Sequence, residues 1–119
     1  MMADSPRKFR IYSAADARQP FREWIDSLKD RETQARILVR MERIRLGNLG
    51  DCKSPGGGVS ELRIATGPGY RVYFGQLGKT VVVLLCGGIK ATQRKDIAEA
   101  KAYWQDYRSR TNANQRILR

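Results

Sequence analysis

The sequence predicts an α+β domain: a four-stranded sheet, antiparallel or mixed, carrying an N-terminal helical hairpin and a C-terminal helix in the order β-α-α-β-β-β-α. Three observations predict it. Apolar residues recur at helical spacing between positions 20 and 46. Three short apolar runs separated by turn residues fill positions 59 to 86. Helical spacing then returns after position 92.

"KFRIYSA" (8–14) alternates as a first strand, with Phe9 and Ile11 on one side and Arg10 and Tyr12 on the other. Pro20 suits a first helical position, and Phe21, Trp24, Ile25 and Leu28 follow on one stripe. Asp30 is placed to cap a second helix, "RETQARILVRMERIRL", whose stripe is Ile37, Leu38, Met41 and Ile44. Arg36, Arg40 and Arg43 line a separate flank, and Gly47 and Gly50 end the helix. "GDCKSPGGG" (50–58) is a loop by composition. Val59–Ala65, Tyr70–Gln76 and Thr80–Cys86 then form an antiparallel meander. The last helix begins near Thr92, with Ile97, Ala100, Trp104 and Tyr107 on its apolar face. A meander of this kind is expected to carry its helices on one face and leave the other wholly or partly open.

At 119 residues the chain is one domain, with an ordered core over 8–110 and a basic tail over 111–119 that is expected to fray. Twenty-three Lys and Arg against twelve Asp and Glu leave a formal net charge of +11. That excess costs self-repulsion and points to a polyanionic partner: nucleic acid, an anionic membrane or an acidic protein. The longest apolar run, Val81 to Cys86, is far too short for a bilayer, so no membrane role is expected. Cys52 and Cys86 belong to no Cys-x-x-Cys pair and read as reduced thiols of a cytoplasmic protein, Cys86 as a small core residue. The chain has no histidine, so the commonest general base and the commonest zinc ligand are both missing; no metal site is expected.

The stretch "ELRIATGPGYRVYFG" (61–75) reads as a hairpin around a Gly-Pro-Gly turn, with one arginine inside each apolar arm. Pairing Ile64 with Tyr70 sets Arg63 opposite Arg71, Leu62 opposite Val72 and Glu61 opposite Tyr73. Leu62, Ile64, Tyr70, Val72 and Phe74 then share the apolar face, and both arginines project from the other. Two guanidiniums side by side repel. Either they are ordinary exposed residues on a solvated face, or they await an anion such as phosphate, which arginine grips with two parallel hydrogen bonds. Lys53, Lys90, Gln93, Arg94 and Lys95 crowd the same end of the sheet, and Tyr73, Tyr103 and Tyr107 are candidates for stacking on a base. For Trp104 and Tyr107, core packing competes with that role.

"VSELRIATGPGYRVYF", followed by "LLCGGIKATQRKDIAEAKAYW" and the Pro-Phe-x-x-Trp at 20–24, resembles the phage-derived, HigB-like addiction-module killer proteins of the RelE/ParE toxin superfamily. The resemblance runs from about Lys8 to Trp104. It implies a toxin of a type II toxin–antitoxin module with a microbial-ribonuclease-like fold, an endoribonuclease (mRNA interferase) that cuts mRNA on the ribosome. Arg63 resembles the strand arginine that contacts the scissile phosphate, Arg71 the arginine of the Gly-Tyr-Arg element, and Lys90 and Lys53 the basic residues of the strand end and the loop. Tyr103 and Tyr107 are the nearest counterparts of the C-terminal tyrosine or histidine of some relatives. The implied partners are mRNA, the ribosome and an antitoxin with a helix-turn-helix domain. Attack by the RNA's own 2′-hydroxyl requires no cofactor. The ParE side of the superfamily inhibits DNA gyrase, which keeps a second reading beside the first, as does a non-catalytic basic module for binding nucleic acid.

Overall fold

The computed structural model describes residues 6–117. Five strands and three helices follow in the order β1 (Lys8–Ile11), α1 (Pro20–Ser27), α2 (Arg31–Arg45), β2 (Cys52–Gly56), β3 (Val59–Ile64), β4 (Tyr70–Leu77), β5 (Val81–Ile89) and α3 (Gln93–Ile117), with a 3₁₀ turn (Lys90–Thr92) leading into α3. The sheet order is β1-β5-β4-β3-β2. β1 runs parallel to β5, and all other neighbours are antiparallel, so the sheet is mixed.

The architecture is α+β, as the patterning predicts, but three features differ. The sheet has five strands because part of the supposed loop 50–58 pairs with β3, setting Cys52 opposite Leu62 and Lys53 opposite Glu61. Its loop-like composition suits a sheet edge. Pro55 needs no partner for its missing N–H there, and Gly57 and Gly58, at φ +63° and +79°, make the two-residue turn into β3. The second difference is that helices cover both faces. Phe21, Ile37, Met41 and Ile44 of α1 and α2 pack on Leu62, Ile64, Val72, Phe74, Val82 and Leu84. Ala100 and Trp104 of α3 pack on Val59, Tyr73, Val83 and Leu85 on the opposite face. The third concerns the tail: α3 remains helical to Ile117, past the expected end at 110, and positions 118–119 lie outside the described residues.

Local chemistry explains the elements. Pro20 opens α1, and Asp30 caps α2 by accepting from the Glu32 N–H at 3.0 Å and the Thr33 hydroxyl at 2.9 Å. In α2 the buried positions are Thr33, Ile37, Met41 and Ile44, whereas Leu38, expected in the stripe, is 51% exposed. A bulge in β5 carries the sheet past α3. Tyr73 pairs with Cys86 and Phe74 with Leu84, so Leu85 is extra, and both Leu85 and Cys86 face α3. Beyond it Gly87 lies under Trp24 of α1 and Gly88 under Asp96 of α3; a Cβ at either position would collide with that side chain. Cys86 is buried and Cys52 half-buried, both as free thiols, and burial pushes the Cys52 thiol up to about 11.

Candidate functional site

The β3–β4 register is the one the hairpin pattern predicts, with Arg63 opposite Arg71 and Glu61 opposite Tyr73. The two arginines share a face, but that face lies under α3 rather than open to solvent. They are therefore not equivalent.

Glu61 is the centre of the arrangement. Its side chain is 1% exposed, and that of Arg63 is 36% exposed. One Glu61 oxygen accepts from Arg63 Nε at 2.7 Å and the other from Gln93 Nε2 at 2.9 Å. Burial pushes the Glu61 carboxyl up, but the hydrogen bonds from Arg63 and Gln93 outweigh it and hold the carboxyl below the usual range. Arg63 is in turn held firmly as a cation by that carboxylate. Because Glu61 takes Nε, the two terminal nitrogens of Arg63 make no other hydrogen bond among the described residues.

Arg71 is 7% exposed. Its Nη1 donates to the Gly69 carbonyl at 2.9 Å, and its Nε is buried without a partner among the described residues. The same carbonyl accepts from the Lys90 backbone N–H at 2.8 Å, which joins the Gly-Pro-Gly turn to the end of β5. Gly69 holds φ +78°, and a Cβ there would press on Arg71 Nη1 and on Lys90 Cβ. Arg71 and Lys90 thus meet at one turn, with the Lys90 side chain exposed.

The other candidates divide. Lys53 is exposed on β2 directly across from Glu61, on the same sheet face. Gln93 serves as the second clamp on Glu61, and Arg94 stands exposed on the next position of α3. Lys101, absent from the candidates that the sequence offers, lies on the Arg94 flank of α3, over Gly56 and Gly57 of the β2 turn. Its spacing of seven from Arg94 was the available signal. Lys95 and Tyr103 do not belong to this group. They line a separate cleft toward α1, where Lys95 pairs with Glu99 at 3.7 Å and Tyr103 stacks on Tyr12 at 5.0 Å. Tyr73 is fully buried, and burial beside Glu61 raises its hydroxyl far above the usual range, so it offers no stacking surface. Tyr107 stacks on Trp104 and accepts from Arg10 at 3.0 Å, far along α3 from Gln93.

Fold and site together define a small, strongly basic α+β domain whose sheet displays an arginine braced by a buried carboxylate. The chain is 46% identical over 86 residues to a protein of Haemophilus influenzae named only as uncharacterized, covering 72% of this chain and 87% of that one, and it belongs to the same family. No family model matches the sequence. Among the described residues, no helix is long and apolar enough to cross a membrane.

Proposed function

We propose that this chain is the cytoplasmic toxin of a type II toxin–antitoxin module, a metal-independent endoribonuclease acting on mRNA at the translating ribosome. The observation that supports it most is the braced Arg63: a cation fixed through Nε, 36% exposed, its terminal nitrogens without a hydrogen bond among the described residues, opposite a second arginine on β4, with Lys53 on β2 to one side and Lys90 at the end of β5 to the other. In this reading the RNA's 2′-oxygen attacks the adjacent phosphorus, the bond to the 5′-oxygen breaks, and a 2′,3′-cyclic phosphate and a 5′-hydroxyl result. Arg63 holds the phosphate oxygens. Arg71, largely covered, adds positive charge from beneath and fixes the turn. The 2′-hydroxyl proton leaves to water, and the departing 5′-oxygen takes up a proton from Lys53, Lys90 or water. Arg94 and Lys101 track the backbone of the strand. Tyr73, Tyr103 and Tyr107 have no part in this chemistry.

The test is cleavage of a short mRNA in a translation extract, with the ends identified by mass spectrometry. Arg63→Ala should lower the rate on the order of a hundredfold, the usual loss for one transition-state donor. Wild-type cleavage by that variant ends the assignment. Double-strand DNA breaks without RNA cleavage would instead support the gyrase-inhibitor reading.

A further inference from the structure

The large apolar side chains left exposed among the described residues, Leu38, Val39, Leu46 and Leu49, all belong to α2 and its exit. Ala35, Val39 and Leu46 fall at i, i+4 and i+11, a seam on the side of α2 turned away from its buried positions Ile37, Met41 and Ile44. Val39 is 52% and Leu46 62% exposed. Beside the seam runs a groove of about 620 Å³ between α2 and the end of β3, floored by Ala35, Val39 and Ile64 and walled by Arg36, Arg40 and Arg43. Arg36 shares its charge with Glu32 at 3.0 Å. Arg40 and Arg43 make no ion pair among the described residues.

We propose that this face docks an acidic amphipathic helix of a partner protein, its apolar stripe on Ala35, Val39 and Leu46 and its carboxylates on Arg40 and Arg43. Charge selects the occupant. A second copy of this chain would bring the same arginine row against itself at a net charge of +11 each, and like charges at an interface are costly. Single-stranded RNA would use the arginines but leave the aliphatic seam facing water. An acidic helix satisfies both, with the seam giving area and the arginines giving orientation and rate. Ile64 points to the opposite face from Arg63, so the docked helix and the Glu61–Arg63 pair lie on different sides of the sheet. The proposal holds whether or not the chain cuts RNA.

The experiment titrates the ¹⁵N-labelled full chain with a helical peptide of about three heptads, leucine at the seam and glutamate on both flanks, and with its lysine-flanked counterpart. The acidic peptide should bind saturably, shift the amides of Ala35, Val39 and Leu46, and weaken as salt rises. Val39→Asp and, separately, Arg43→Glu should each weaken it at least tenfold while the melting temperature holds. The proposal is overturned by any of four results: no saturable binding at millimolar peptide, equal binding of the lysine peptide, a dimer of the free chain that Val39→Asp dissolves, or binding of poly(U) or anionic vesicles that shifts the same amides while the acidic peptide does not.

Discussion

A single buried carboxylate organises the residues that matter most. Glu61 has its folded-state pKa held below the unfolded value, so its contribution to stability is fully present above about pH 4.3 and is lost as pH falls through the depressed folded value. Thermal melts across the acid range should therefore show wild type losing stability more steeply than Glu61→Gln. A Gln variant that melts with the same acid slope would remove Glu61 from that role. Arg63→Ala leaves the same carboxylate buried with only Gln93, so it should lower the melting temperature as well as the activity. Adding Glu61→Gln to it should recover part of the melting temperature and none of the cleavage, which separates bracing from chemistry. Arg71→Ala is expected to act differently. It removes the side chain that shares the Gly69 carbonyl with the Lys90 N–H and steadies that turn, and amide exchange should quicken at Gly69 and Lys90 before any global loss.

At the scale of elements, the close approaches at the end of β5 are the most demanding. Alanine at Gly87 must displace Trp24, and at Gly88 must displace Asp96, so each should cost about 1–3 kcal/mol in urea unfolding, with no change in strand order. Trp104→Ala should cost about 3–5 kcal/mol, because its ring fills the space over Gly75 and beside Val59 that keeps α3 on the sheet. These contacts also explain which elements were legible in the sequence. The hairpin register could be read because one slip would have turned Leu62 and Val72 to the wrong face. β2 could not, since Cys-Lys-Ser-Pro-Gly has no apolar alternation and only its neighbour makes it a strand. The covering of both faces was written in Val81–Cys86, apolar at every position, a pattern of strands buried on two sides. The stripe of α3 needed a face of its own, and one face was already filled by α1 and α2. Missing that second layer made Tyr73 and Arg71 look exposed, and it hid Glu61, whose burial comes with α3.

Across the whole molecule, two basic surfaces lie on opposite sides of one sheet: Lys53, Arg63, Arg94 and Lys101 on the α3 side, and Arg36, Arg40 and Arg43 on the α2 side. The two should respond to salt differently. For single-stranded RNA, each phosphate neutralised adds about 0.7 to the slope of log affinity against log salt, so removing Arg94 and Lys101 together should lessen that slope by about 1.4. Arg43→Glu should leave it nearly unchanged, and a fluorescence titration at several salt concentrations distinguishes the two. The parallel β1–β5 pairing has a consequence of another kind. Lys8 lies opposite Val81, so the opening strand leaves the ribosome some 73 residues before its partner exists. The sheet that displays Arg63 closes only when β5 has been made, and contacts so remote along the chain are the slow ones to form. A nascent chain halted before β5 should be a poor substrate for folding and an easy one for proteases, so the surface around Arg63 is assembled only after β5 has left the ribosome.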